Sequence, residues 1–123
     1  MATIVVLDDV SDAVRLTQRI LRLMGHDVFG FTEEDEAIEC IKTQSIDLVI
    51  LDLRLKRMSG IEVFKTMKRL DPMLRGIILT GFPTAETTRE CRELGISAYC
   101  IKPIGIEELE ARVKEALNAP PSN

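Results

Sequence analysis

Five side chains that could act on a phosphoryl group each close an apolar run. Asp8 and Asp9 follow Thr3–Leu7, Asp52 follows Asp47–Leu51, Thr80 ends Gly76–Thr80, and Lys102 follows Ala98–Ile101. Ligands of open α/β sheets bind beyond the carboxyl ends of the strands, so residues at those ends share one edge. Charge then dictates what the cluster needs. Two carboxylates ~5 Å apart repel by roughly 3 kcal/mol at an effective dielectric of ~20, and three raise one another's pKa values unless cations intervene. Lys102 brings one positive charge. A hard divalent cation, Mg²⁺ or Mn²⁺, brings two more, typically using one or two carboxylates and leaving positions for water and phosphate oxygens. Capping of the following helix would explain Asp8 or Asp9 taken singly, but not all five residues at strand ends.

The elements that must position them alternate. The runs Thr3–Leu7, Val28–Phe31, Asp47–Leu51, Gly76–Thr80 and Ala98–Ile101 have strand length, and Ile4–Leu7, Leu48–Leu51 and Ile77–Leu79 are apolar at every position. Such strands must be covered on both faces, which predicts a parallel sheet between helix layers. Between them Val10, Ala13, Val14, Thr17, Leu21 and Met24 follow helical spacing up to Gly25. Thr32 is placed to cap a second helix with Ala37, Ile38 and Ile41 inside. Ser59-Gly60-Ile61-Glu62 opens a third, with Val63, Phe64, Met67 and Leu70 inside, ended by Asp71-Pro72. A fourth spans about Thr84 to Leu94, with only Ala85, Cys91 and Leu94 as anchors, and should pack most weakly. The fifth buries Ile106, Leu109, Val113 and Leu117. Right-handed crossovers make this a single doubly wound α/β domain with helices on both faces of a five-stranded parallel sheet. It occupies 1–118, and 119–123 read as a flexible tail or the start of a linker.

Composition narrows the function. The 123 residues fit one domain, and a net charge of −4 argues against direct nucleic-acid binding by this chain. Cys40, Cys91 and Cys100 are odd in number and lack C-x-x-C spacing, which predicts three plain thiols rather than disulfides or a zinc site. The N-terminal apolar run is too short for a signal peptide or membrane span, so a soluble cytoplasmic protein without membrane attachment is expected. His26, in a turn at the far edge of the sheet, reads as a surface histidine rather than a phosphotransfer site.

Over nearly its whole length the chain resembles the response-regulator receiver family of two-component signalling, the chemotaxis-receiver-like proteins. The matching pieces are Val6-Leu7-Asp8-Asp9, Asp47–Leu53 with Gly60 eight residues after Asp52, Leu79-Thr80-Gly81, and Gly95–Pro103 with Lys102-Pro103 at its end. The resemblance implies a flavodoxin-like (βα)5 fold with strand order 2-1-3-4-5. It implies that Asp52 takes a phosphoryl group from a phosphohistidine of a sensor histidine kinase or phosphotransfer protein. Asp9 would bind the metal directly, Asp8 through water, and the backbone carbonyl of Arg54 would complete the protein ligands together with Asp52. Lys102 would pair with phosphoryl oxygens, Thr80 would hydrogen-bond one of them, and Lys102-Pro103 would be a cis peptide. Tyr99 stands where the family carries a switch aromatic, coupling Thr80 to the surface of the fourth helix, fifth strand and fifth helix. That surface would serve a downstream effector, an output domain or a phosphorylation-dependent homodimer. The chain would then be a phosphorylatable switch that assists its own phosphorylation and dephosphorylation, not a turnover enzyme.

Two departures mark this member. Where the family usually has proline four residues after the acceptor aspartate, this chain has Lys56, so the loop Arg54-Leu55-Lys56-Arg57 is basic and expected to be more flexible. Phe82, two residues past Thr80, is placed to shield the pocket from water and slow loss of the phosphoryl group. Rival functions fit less well. A haloacid-dehalogenase-like phosphatase wants D-x-D after the first strand, and a flavodoxin-like phosphate loop there would not carry the acids Asp8, Asp9 and Asp12. A degenerate receiver acting as a phosphorylation-independent docking module is the alternative, which only Lys56 favours.

Overall fold

The computed structural model describes residues 1–120. Strands and helices alternate: β1 (Thr3–Leu7), α1 (Ser11–Leu23), β2 (Asp27–Phe31), α2 (Glu34–Thr43), β3 (Leu48–Leu51), α3 (Gly60–Leu70), β4 (Arg75–Thr80), α4 (Ala85–Glu93), β5 (Ala98–Ile101) and α5 (Ile106–Asn118). The sheet is parallel in the order β2-β1-β3-β4-β5. This is the predicted architecture. Order reverses beside β1, so the ends of β1 and β3 form the crevice where a ligand of such a sheet sits.

Alternation along the strands divides the core in two. Val5, Leu7, Val49, Leu51 and Ile78 face α2 and α3, where Phe64 and Met67 are buried, together with Cys91 of α4. Ile4, Val6, Leu48, Ile50, Ile77 and Leu79 face α1 and α5 through Val14, Leu21, Leu109 and Val113. Full burial of each such side chain contributes roughly 1.5–3 kcal/mol. By that measure α4 is held least, since Cys91 is its one buried residue while α3 buries five.

Element edges depart from expectation in a consistent way. Thr32 does not cap α2, because the chain stays extended through Glu33, which takes the N-cap without a side-chain bond. Val10 is likewise extended, precedes α1 and is exposed. Leu70, Ala85 and Ile106 lie at helix ends and are exposed. In α5 the buried set is Leu109, Val113 and Ala116, with Leu117 at its margin. Gly25 and Gly95 end α1 and α4 with φ of 96° and 76°, a conformation that costs glycine least. Of the expected tail, Ala119 is tied down: its carbonyl accepts from Arg75 Nε at 2.8 Å. Residues 121–123 lie outside the described residues.

The three cysteines are free and buried. Burial, with Glu90 beside it, pushes the Cys91 thiol up to about 11, and burial raises Cys40 and Cys100 as well. They are core residues rather than reactive thiols. Among the described residues no helix is long and apolar enough to cross a membrane.

His26 is half-buried at the end of the sheet opposite Asp8 and Asp52, and its Nδ1 accepts from the Ala2 N–H at 3.0 Å. Burial and the positive N-terminus hold its pKa below the ordinary histidine value. The neutral ring is the folded form, so this contribution is present above the unfolded-state value near 6.5 and is lost as pH falls through the lower folded one. Thermal unfolding should therefore show a drop in melting temperature just below pH 6.5 that is smaller in His26→Ala. Parallel pH profiles for the two proteins would refute this.

Candidate functional site

The crevice beyond β1 and β3 holds the acidic cluster. One carboxylate oxygen each from Asp8, Asp9 and Asp52 lie within 4.8 Å of one another. Asp8 and Asp52 are buried, at 6% and 7% exposure, and Asp9 is open to solvent. Asp8 is fixed at both oxygens: Oδ1 accepts from the Val10 N–H at 3.0 Å and Oδ2 from Lys102 Nζ at 2.6 Å. Lys102 Nζ also donates to Asp52 Oδ2 at 3.0 Å, and Asp52 Oδ1 accepts from the Arg54 N–H at 3.3 Å. One ammonium thus bridges the ends of β1 and β3 from the end of β5.

The charges bear on one another as the sequence implies. Asp9 is raised above the ordinary carboxylate value by partial burial first, then by repulsion from Asp8 and Asp52. Burial would lower Lys102, but its hydrogen bonds to Asp8 and Asp52 raise it above the usual lysine value. Stability from that bridge is therefore present throughout the neutral range and lost only in strong alkali. Three carboxylates facing one ammonium leave negative charge unbalanced. An all-oxygen donor set with one carboxylate facing water suits a hard divalent cation.

The remaining predicted residues surround this core. Thr80 is fully buried, and its hydroxyl oxygen accepts from the Phe82 N–H at 3.1 Å; among the described residues the hydroxyl makes no hydrogen bond to the side chains of Asp8, Asp52 or Lys102. The Lys102 N–H donates to the Thr80 carbonyl at 2.8 Å, and Lys102-Pro103 is cis. A Cβ on Gly81 would meet nothing within 4 Å. Phe82 is 53% exposed, and the Arg54 guanidinium lies over its ring at 3.7 Å, spanning the loops after β3 and β4. Tyr99 is half-buried against the α2–α3 side of the core, and its hydroxyl is 3.0 Å from Thr87 Oγ1 on α4.

Sequence reasoning missed Glu34. At the start of α2 it is only 2% exposed, and its Oε2 accepts from the backbone N–H groups of Arg57 and Met58. Lys56 pairs with Glu33 beside it. The loop after β3, expected to be loose, is therefore tied to α2 at its tip. The sequence signal was hidden, because Glu33, Glu34, Asp35 and Glu36 are consecutive acids and nothing local marks which one is buried.

The family model described as response regulator receiver domain matches residues 4–114. The transcriptional regulatory protein ZraR of Escherichia coli (strain K12) is 33% identical over 114 residues, which is 93% of this chain and 26% of that protein, so the chain spans about a quarter of that relative's length. The sporulation initiation phosphotransferase F of Bacillus subtilis is 31% identical over 93% of this chain and 92% of its own. A receiver domain protein (CheY-like) from Methanospirillum hungatei superposes with a TM-score of 0.92 at 26% identity, covering 96% of this chain and 94% of that one. The response regulator TrrA of Thermotoga maritima, in complex with Mg²⁺ and a beryllium fluoride, gives 0.85 at 26% identity, covering 95% and 100%.

Proposed function

The chain belongs to the response regulator receiver domain family of two-component systems, and from that membership we propose that Asp52 accepts a phosphoryl group from the phosphohistidine of a sensor histidine kinase or phosphotransfer protein. The observation that carries the reading is Lys102 Nζ bridging Asp8 and Asp52 at 2.6 and 3.0 Å, with Asp9 alongside.

Asp9, Asp52, the Arg54 carbonyl and, through water, Asp8 would hold Mg²⁺ or Mn²⁺. When bound, the ion supplies positive charge where phosphoryl oxygens gather. A carboxylate oxygen of Asp52 attacks phosphorus, a P–O bond forms, the P–N bond breaks, and the leaving imidazole nitrogen keeps the electron pair. Lys102 exchanges its contact with Asp52 for one to a phosphoryl oxygen while staying on Asp8. The Thr80 hydroxyl leaves the Phe82 N–H and donates to another. This is catalysis by position and charge neutralisation. Phe82, braced by Arg54, restricts water near the acyl phosphate.

Movement of Thr80 reaches Tyr99, whose bond to Thr87 is exchanged as α4, the least buried helix, shifts. The α4–β5–α5 surface then passes the state to an effector, an output domain or a second copy of the chain. A cytoplasmic setting, where kinase phosphohistidines are formed, goes with this reading.

Incubation with acetyl phosphate and Mg²⁺ followed by intact-mass measurement tests it. One phosphoryl increment is expected on the parent chain, absent without metal and absent in Asp52→Asn. No increment on the parent would favour the docking-module alternative.

A further inference from the structure

The loop from Arg54 to Ser59 carries the carbonyl assigned above to the metal, and it lacks the proline its family uses there. Its base is fastened by the Arg54–Ser59 bridge and by the Gly60 N–H donating to the Leu53 carbonyl at 2.9 Å. Its tip has no proline, but it has the Glu34 carboxylate, reaching from another element onto two successive backbone N–H groups. We propose that Glu34 is a positioning residue for the metal-binding loop, supplying from α2 the stiffness that Lys56 does not supply from within it. The proposal rests on the functional reading above, since it concerns how the Arg54 carbonyl is aimed.

Magnitudes single out Glu34 among the neighbouring acids. The Lys56–Glu33 pair has side-chain exposures of 44% and 31%, and Arg57–Asp35, at 3.8 Å, has 70% and 72%. Solvated pairs of that kind contribute little. Glu34 is buried, and a buried carboxylate on two N–H donors makes charge-assisted bonds. Burial alone would raise its pKa, yet the Arg57 and Met58 N–H groups hold it below the ordinary glutamate value. The carboxylate is thus charged, and its bonds are to the loop's backbone. No described residue accepts a hydrogen bond from the Lys56 N–H, and its φ is not positive, so proline at 56 removes no backbone hydrogen bond and gives up only the half-exposed pair with Glu33.

Calorimetric Mg²⁺ titration and amide hydrogen exchange on the full chain decide the matter. Glu34→Ala should weaken Mg²⁺ binding about tenfold, the scale seen when groups supporting metal ligands are removed, and speed exchange at Arg57 and Met58. Glu34→Gln keeps an acceptor oxygen without the charge and should fall between, which also covers the case of an alanine variant too unstable to titrate. Adding Lys56→Pro to Glu34→Ala should recover most of the affinity. Unchanged Mg²⁺ affinity in both single variants, alongside a lower melting temperature, would overturn the proposal and leave Glu34 a structural residue. A parent chain that binds no Mg²⁺ would sink the functional reading itself, and is told apart because it fails before any substitution.

Discussion

A Lys102→Ala chain is expected to bind Mg²⁺ about tenfold more tightly than the parent while taking up phosphoryl groups about a hundredfold more slowly. The two effects have opposite signs because the ammonium and the metal answer the same carboxylates. A unit charge roughly 6 Å from a divalent ion opposes it by about 1.4 kcal/mol even at the dielectric of water, a factor of ten. Removing the lysine removes that opposition. On the proposed mechanism the reaction loses what the metal cannot replace, a donor held 3.0 Å from the Asp52 carboxylate and anchored by Asp8 on its other side. Loss of one preorganised charge-stabilising donor typically costs about 10²–10³ in rate. Stability should follow the metal. In chelator the variant leaves Asp8 and Asp52, 8% and 9% exposed at their side chains, without their cation. A broken buried pair costs about 3 kcal/mol, and the partial exposure of Lys102 keeps the loss near that lower figure, equivalent to a fall in melting temperature on the order of 10 °C. Added Mg²⁺ should return more of the loss in the variant than it adds to the parent. Calorimetry, acetyl phosphate kinetics and paired melts check these points. Equal Mg²⁺ affinity with an equal uptake rate would place Lys102 outside the working pocket.

How much of this was legible in the sequence follows from how local each cause is. The strands were plain because Ile4–Leu7 and Leu48–Leu51 have no polar side to show, and only a two-sided cover accounts for that. The pocket was plain for a related reason: Asp8, Asp52, Thr80 and Lys102 sit where apolar runs stop, and a parallel sheet brings all such stops to one edge. Thr32 misled because capping propensity is local, whereas the start of α2 is set by how far the chain stays extended past β2. Ile106 misled because it continues the apolar spacing of α5 at the first residue of the helix, where it is exposed. Glu34 was invisible for a stronger reason. Its partners are backbone N–H groups 23 and 24 residues away, which carry no side-chain signature. The loop judged loose from its own composition is steadied by an element the composition does not mention.

Gly60→Ala should be strongly destabilising, although helix propensity alone predicts a gain. Gly60 is the first residue of α3, and alanine is favoured over glycine inside a helix by about 1 kcal/mol. Yet a Cβ there would stand 2.1 Å from the Asp52 carbonyl oxygen, 2.9 Å from its carbon and 3.1 Å from Leu53 Cα. These are backbone atoms, so no rotamer change relieves the clash. Asp52 cannot retreat easily, because its N–H donates to the Leu7 carbonyl at 3.1 Å and β3 lies between β1 and β4. Gly60 cannot retreat either. Its own N–H is bonded to Leu53, Ser59 Oγ accepts from the Glu62 N–H at 3.2 Å, and Ile61, Val63, Phe64 and Met67 are buried behind it. Whichever side yields, a cost of more than about 3 kcal/mol is expected, the scale of severe overpacking, with Asp52 shifted from Lys102 in whatever remains folded. Gly81→Ala and Gly105→Ala, whose added methyls meet nothing within 4 Å, should lie within about 0.5 kcal/mol of the parent. Urea unfolding of the three variants separates steric from propensity control. If Gly60→Ala unfolds alongside the other two, the close approach of α3 to the backbone of Asp52 and Leu53 is not what requires glycine at this position.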